Sequence, residues 1–145
     1  MVSESPVPNM WIGAVHLRVA DLDRQISFYR GLLGFTVLAE DGATAALGAE
    51  GGRPLVVLHA APDAMPRPAG TTGLFHVAFL LPTVGDLGGM IRRIRAGGGT
   101  FAGFADHNVS EAAYLNDPEG NGLELCADRE RRAWRTPEGQ IILKT

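Results

Sequence analysis

His16, His76 and Glu124 are the side chains whose types and places could do chemistry together. Two imidazoles and one carboxylate are the ligand types of a facial site for a divalent metal. Three protein ligands leave coordination positions open, so substrate with dioxygen, or substrate with water, could bind such a metal directly. The plainer alternative is two hydrogen-bonded strand histidines and an unrelated glutamate. Repetition favours the first reading, because the two histidines occupy equivalent places in two copies of one pattern, and an inward carboxylate with no partner would be costly.

Neighbouring polar residues give weaker signals. His59 shares strand parity with Val57 and reads as a solvated or supporting group more than a ligand. Arg18 shares parity with His16 and could meet an anionic substrate, or reach out to water. On spacing alone His107 and Tyr114 could be ordinary loop and core residues. Cys126 reads as a small apolar filler, since nothing beside it would lower its pKa. Arg129, Arg131 and Arg132, with Glu130 among them, read as a solvated segment.

The elements that must position these residues come in two sets. Ala14 to Val19 alternates, with Val15, Leu17 and Val19 on one face and His16 and Arg18 on the other. Asp21 can cap a helix over about 22–33, with Leu22, Ile26, Tyr29 and Leu33 on one face and Gly34 as its stop. Strands are expected over Phe35 to Glu40, Ala43 to Leu47 and Leu55 to His59. Leu74 to Phe79 repeats the opening, with Phe75, Val77 and Phe79 expected on the buried face. A helix over about Val84 to Ala96 ends at Gly97-Gly98-Gly99. Strands follow at Thr100 to Phe104, Glu111 to Leu115 and Gly122 to Cys126, the last two joined by the turn Asp117-Pro118-Glu119-Gly120-Asn121. The fold class is therefore α+β: two βαβββ units, about 12–60 and about 73–128, paired around a concave mixed β-sheet, with a tail over 129–145. One helix covers only one face of each sheet, which is why the units should pair and why His16, His76 and Glu124 should look into the shared surface. Val57, at the place matching Glu124, cannot be a fourth ligand.

At 145 residues, 46% hydrophobic and 20% charged, the chain suits one domain with a real core. A net charge of -3 argues against a nucleic-acid partner. A single cysteine, no signal-like start over Met1 to Met10 and no apolar run of membrane-spanning length point to a cytoplasmic protein.

The doubled unit with His16, His76 and Glu124 resembles the vicinal oxygen chelate superfamily of glyoxalases, bleomycin-resistance proteins and extradiol dioxygenases. The opening half, His16 to Leu22 with Ser27-Phe28-Tyr29 and Leu33-Gly34-Phe35, is similar to many of its members. The segment His107 to Glu124, with Tyr114 and Asp117-Pro118-Glu119-Gly120 between them, is similar to the signature of the catechol-2,3-dioxygenase subgroup. That resemblance implies a metal-dependent enzyme that cleaves a catechol-type ring with O2. His16, His76 and Glu124 would hold Fe(II), with Mn(II) or another divalent metal as substitute. The partners implied are a small aromatic diol, or another substrate with vicinal oxygens, and O2; a homodimer is compatible. His107 matches an acid-base histidine and Tyr114 a tyrosine that hydrogen-bonds the bound substrate. Two further activities occur under the same resemblance: a glyoxalase or isomerase-type metalloenzyme, and a metal-free drug-binding protein.

Overall fold

The computed structural model describes residues 12–65, 68, 70–136 and 138–141. The start Met1 to Met10, part of the loop after Ala61 and the last four positions of the tail lie outside the described residues. Two four-stranded mixed sheets are present, each with one helix, in the repeated order expected from the sequence.

In the first unit β1 (Val15–Val19) pairs in parallel with β4 (Pro54–Ala60), and β3 (Thr44–Gly48) and β2 (Thr36–Glu40) complete the sheet by antiparallel pairing. Alternation decides which face is covered. Leu17, Val19, Val56 and Leu58 are buried, whereas His16 and Arg18 are exposed. The helix α1 (Leu22–Ser27) starts where the Asp21 carboxylate accepts the Arg24 amide at 2.9 Å. It then widens into a π turn, Phe28–Leu32, where a single regular helix was expected through 33. The Leu33 amide reaches back to the Phe28 carbonyl, five residues earlier. Tyr29 sits in this wider turn, fully buried, with Phe28 and Phe35 rings against it at 5.3 and 5.9 Å.

The second unit places β5 (Val77–Leu81) in parallel with β8 (Gly122–Asp128), followed by β7 (Ser110–Asn116) and β6 (Gly103–Asp106). Its helix α2 (Val84–Ala96) has the expected bounds, and the Thr83 hydroxyl accepts the Asp86 amide at its start. Two strands are displaced from their expected positions. β5 begins at Val77, not at Leu74, because its ladder with β8 begins at Val77 opposite Leu123. One step earlier the Phe75 carbonyl crosses over Gly122, where a Cβ would meet it at 2.5 Å. Phe75 consequently lies outside the core, 86% exposed, and not on the buried face. β6 runs over Gly103–Asp106, where Thr100 to Phe104 was expected, because the turn that ends it is made further on: Asn108 takes φ 67, and the His107 amide closes onto the Ser110 carbonyl at 3.0 Å.

The units are joined side to side. Glu119, in the turn before β8, accepts the amides of Ala20 and Asp21 at 3.0 Å each. Arg93 of α2 donates to the carbonyls of Leu32 and Gly31 at 3.1 and 3.0 Å. Phe35 and Phe79 meet edge to face at 5.2 Å, so one apolar cluster runs through both units. Arg129 is not merely solvated: its guanidinium pairs with Asp106 and Glu111 at 2.9 and 2.8 Å and ties the end of β8 to β6 and β7.

Candidate functional site

Four polar side chains of the second unit form one connected line. Register brings Glu124 of β8 opposite Tyr114 of β7, and Glu124 lies beside β5. His76, immediately before β5, places Nε2 2.8 Å from Glu124 Oε2. Tyr114 donates its phenol proton to Glu124 Oε1 at 3.1 Å. The Tyr114 oxygen also lies 3.0 Å from His107 Nε2. A phenol has one proton, so with that proton on Glu124 the His107 ring must present Nε2–H to the oxygen. Likewise Glu124 accepts from His76 Nε2–H. His107, Tyr114, Glu124 and His76 thus form one hydrogen-bonded line.

The partly open setting tunes two of the neighbours. Burial, aided by the hydrogen bond and charge of Glu124, raises the pKa of Tyr114 above its ordinary value and keeps it a proton donor. Burial likewise pushes the Cys126 thiol up to about 11, with Glu124 and Asp128 adding to the effect. Cys126 gives its weak donor to the Phe79 carbonyl at 3.7 Å and fits the filler role read from the sequence.

His16 stands apart from this line. Its Nδ1 lies 2.8 Å from His59 Nε2, with the two rings stacked at 5.1 Å. Thr44 Oγ1 stands 3.5 Å from the other His59 nitrogen. His59 therefore supports His16, and Val57 occupies the register position beside His16. Among the described residues no three His, Cys, Asp or Glu side chains converge into a metal cluster.

A divalent cation is nonetheless compatible with the donors present. Two cis ligands, each about 2.1 Å from such an ion, stand about 3 Å apart. The His76–Glu124 separation of 2.8 Å is close to that, so an ion could take the place of the shared proton once His76 carries its hydrogen on Nδ1. His16 has Nδ1 held by His59 and leaves Nε2 as its available donor, the arrangement in which an outer hydrogen bond orients a ligand imidazole.

Two residues of this region were not singled out by the sequence. Glu119 bridges the units because Asp117 takes over the turn, accepting the Glu119 and Asn121 amides and the Asn121 side chain. The signal was there in the Asp-Pro-Glu-Gly-Asn run, but it specifies a turn and not what Glu119 reaches. Arg24, on the exposed side of α1, joins Arg18 in lining a cleft.

The fold and this arrangement define a class. The chain belongs to the Glyoxalase/Bleomycin resistance protein/Dioxygenase superfamily, whose model matches residues 11–125. It is 42% identical over 136 residues to a catechol-2,3-dioxygenase of Bacillus subtilis (strain 168), covering 92% of this chain and 47% of that protein. It is 32% identical over 124 residues to biphenyl-2,3-diol 1,2-dioxygenase 3 of Rhodococcus globerulus, covering 84% and 63%. The chain thus spans about half to two thirds of the length of these relatives. The fold is similar to the crystal structure of a glyoxalase/dioxygenase from Nostoc punctiforme, with TM-score 0.70, 20% identity, and 88% and 97% of the two chains covered. No helix among the described residues is long and apolar enough to cross a membrane.

Proposed function

We propose that this chain carries extradiol-type ring cleavage of a small aromatic diol with O2, with Fe(II) as the metal and Mn(II) or another divalent ion as substitute. The observation that carries the reading is the continuous line His107–Tyr114–Glu124–His76, with contacts of 3.0, 3.1 and 2.8 Å. His16, His76 and Glu124 would hold the ion. Bound there, it supplies chelation of both vicinal oxygens and a place for O2.

In the reaction the ring C–C bond beside one hydroxyl carbon breaks and both oxygen atoms enter the product. That hydroxyl carbon becomes a carboxylic acid, the neighbouring ring carbon a carbonyl, and the second hydroxyl carbon remains an enol. The protein's own groups manage protons and orientation. Tyr114, held protonated, presents a phenol where substrate oxygens develop charge. His107 backs it and is placed to pass a proton to or from the Tyr114 oxygen. His59 holds the ring of His16, and Glu124 is oriented by Tyr114.

The test is anaerobic loading with Fe(II), then catechol and air, with the yellow ring-opened product as the readout. Product that disappears in Glu124→Gln supports the reading. Membership of the superfamily leaves one second reading, a glyoxalase or isomerase-type metalloenzyme. Stoichiometric metal with no ring-opened product would favour it. Failure to bind any divalent metal would sink both and leave a metal-free binding protein.

A further inference from the structure

A cleft of about 380 Å³ opens between β1, α1 and the turn before β8, with Arg18, Arg24, Met65 and Glu119 in its wall. That volume is within the range of about 300–1,000 Å³ usual for small-molecule pockets. Its cations are unspent. Among the described residues neither the Arg18 nor the Arg24 guanidinium has a hydrogen-bond or ion-pair partner, whereas Arg93 and Arg129 elsewhere are fully engaged. Glu119, the one carboxylate among the described residues of the wall, does not neutralise them by contact, because both its oxygens are turned to the Ala20 and Asp21 amides. Beside the arginines lie apolar surfaces of Ala64, Met65 and Pro118, with Met65 87% exposed. Two open guanidinium forks against an apolar wall suit an anion carried on a flat ring.

Arg18 links the cleft to the face that bears His16. Arg18 follows His16 by two residues on the exposed side of β1, about 6.6 Å further along the strand. From this we infer that Arg18 and Arg24 form a carboxylate-recognising extension of the substrate site, so that the diol bound by this protein is an aromatic carboxylate and not neutral catechol. This rests on the aromatic-diol reading above.

The test separates the two. The metal-free chain is titrated calorimetrically with 3,4-dihydroxybenzoate and with catechol, and the Fe(II)-loaded chain is assayed with both. The carboxylate should bind about tenfold tighter, the worth of one or two charge-assisted hydrogen bonds. In the double variant Arg18→Gln with Arg24→Gln that preference should vanish while catechol binding stays unchanged. Arg18→Lys with Arg24→Lys, which keeps the charge and loses the fork, should retain part of it. Equal affinity for the two ligands, a preference that survives the glutamine variant, or displacement by sulfate as effective as by benzoate would overturn the inference. Preferential binding without ring cleavage would refute the dioxygenase reading and keep the cleft; cleavage of both ligands without preference would refute the cleft alone.

Discussion

Tyr114→Phe removes one oxygen from the middle of the line that joins His107 to Glu124. The phenol gives the carboxylate a hydrogen bond at 3.1 Å, and Glu124 is only 14% exposed, so water replaces that donor poorly. Hydrogen bonds to charged groups contribute about 1.5–3 kcal/mol, and a bond of this length belongs at the lower end. Since about 1.4 kcal/mol is tenfold in an equilibrium constant, Fe(II) should bind about tenfold more weakly at the proposed site. That agrees with the loss of about 10–100-fold seen when groups supporting a metal ligand are removed. Turnover should fall further, by about a hundredfold at saturating metal, because His107 loses its contact with the reacting region. Folding of the metal-free chain should weaken by about the same 1.5 kcal/mol and no more, since the ring and its edge contact with His76 at 5.9 Å are kept. The assay is an anaerobic Fe(II) titration, followed by initial rates of ring-opened product and a thermal melt. Wild-type metal affinity together with wild-type turnover would refute the idea that this hydroxyl orients Glu124.

Two other consequences can be checked on the protein alone. Gly122→Ala should cost about 1–3 kcal/mol in urea unfolding, since the new methyl would meet the Phe75 carbonyl at 2.5 Å and push away the segment that carries His76; an unchanged midpoint would show that this crossing is loose. The Cys126 thiol, held protonated up to about 11, should alkylate slowly at pH 8, with a rate still rising between pH 9 and 11. The raised value also means that its contribution to stability is complete below about pH 9 and fades as pH climbs through 11; partial exposure leaves roughly 1 kcal/mol of it. A plateau in the alkylation rate below pH 9 would contradict the assignment.

Strand parity is the part of this molecule that sequence conveys best, because a period of two is a local property. It placed Leu17 and Val19 against the core and His16 and Arg18 away from it, and it put Glu124 on the face opposite Leu123 and Leu125. Ends of strands are set instead by what lies across from them. Leu74 to His76 continues the alternation, yet Gly122 offers no ladder partner there, so Phe75 faces solvent. The same limit hid the partner of His16. His59 lies 43 residues on, and only the parallel register of β1 with β4 brings the two rings together. The widened turn at Phe28–Leu32 was not legible either: the apolar positions of the expected helix fit a regular spiral, and the departure comes from seating Tyr29 between Phe28 and Phe35. Arg129 looked like one of several solvated charges because Asp106 and Glu111 reach it only through the folded hairpin.

The central claim is that residues from both sheets hold one ion. It is tested most directly by anaerobic Fe(II) titration of the wild-type chain beside His16→Ala, His76→Ala and Glu124→Gln, with metal analysis after gel filtration. The expected result is about one iron per wild-type chain and a large loss in each variant, His16→Ala included. A wild-type chain that retains no divalent metal, or a His16→Ala variant that binds as tightly as the wild type, would contradict it.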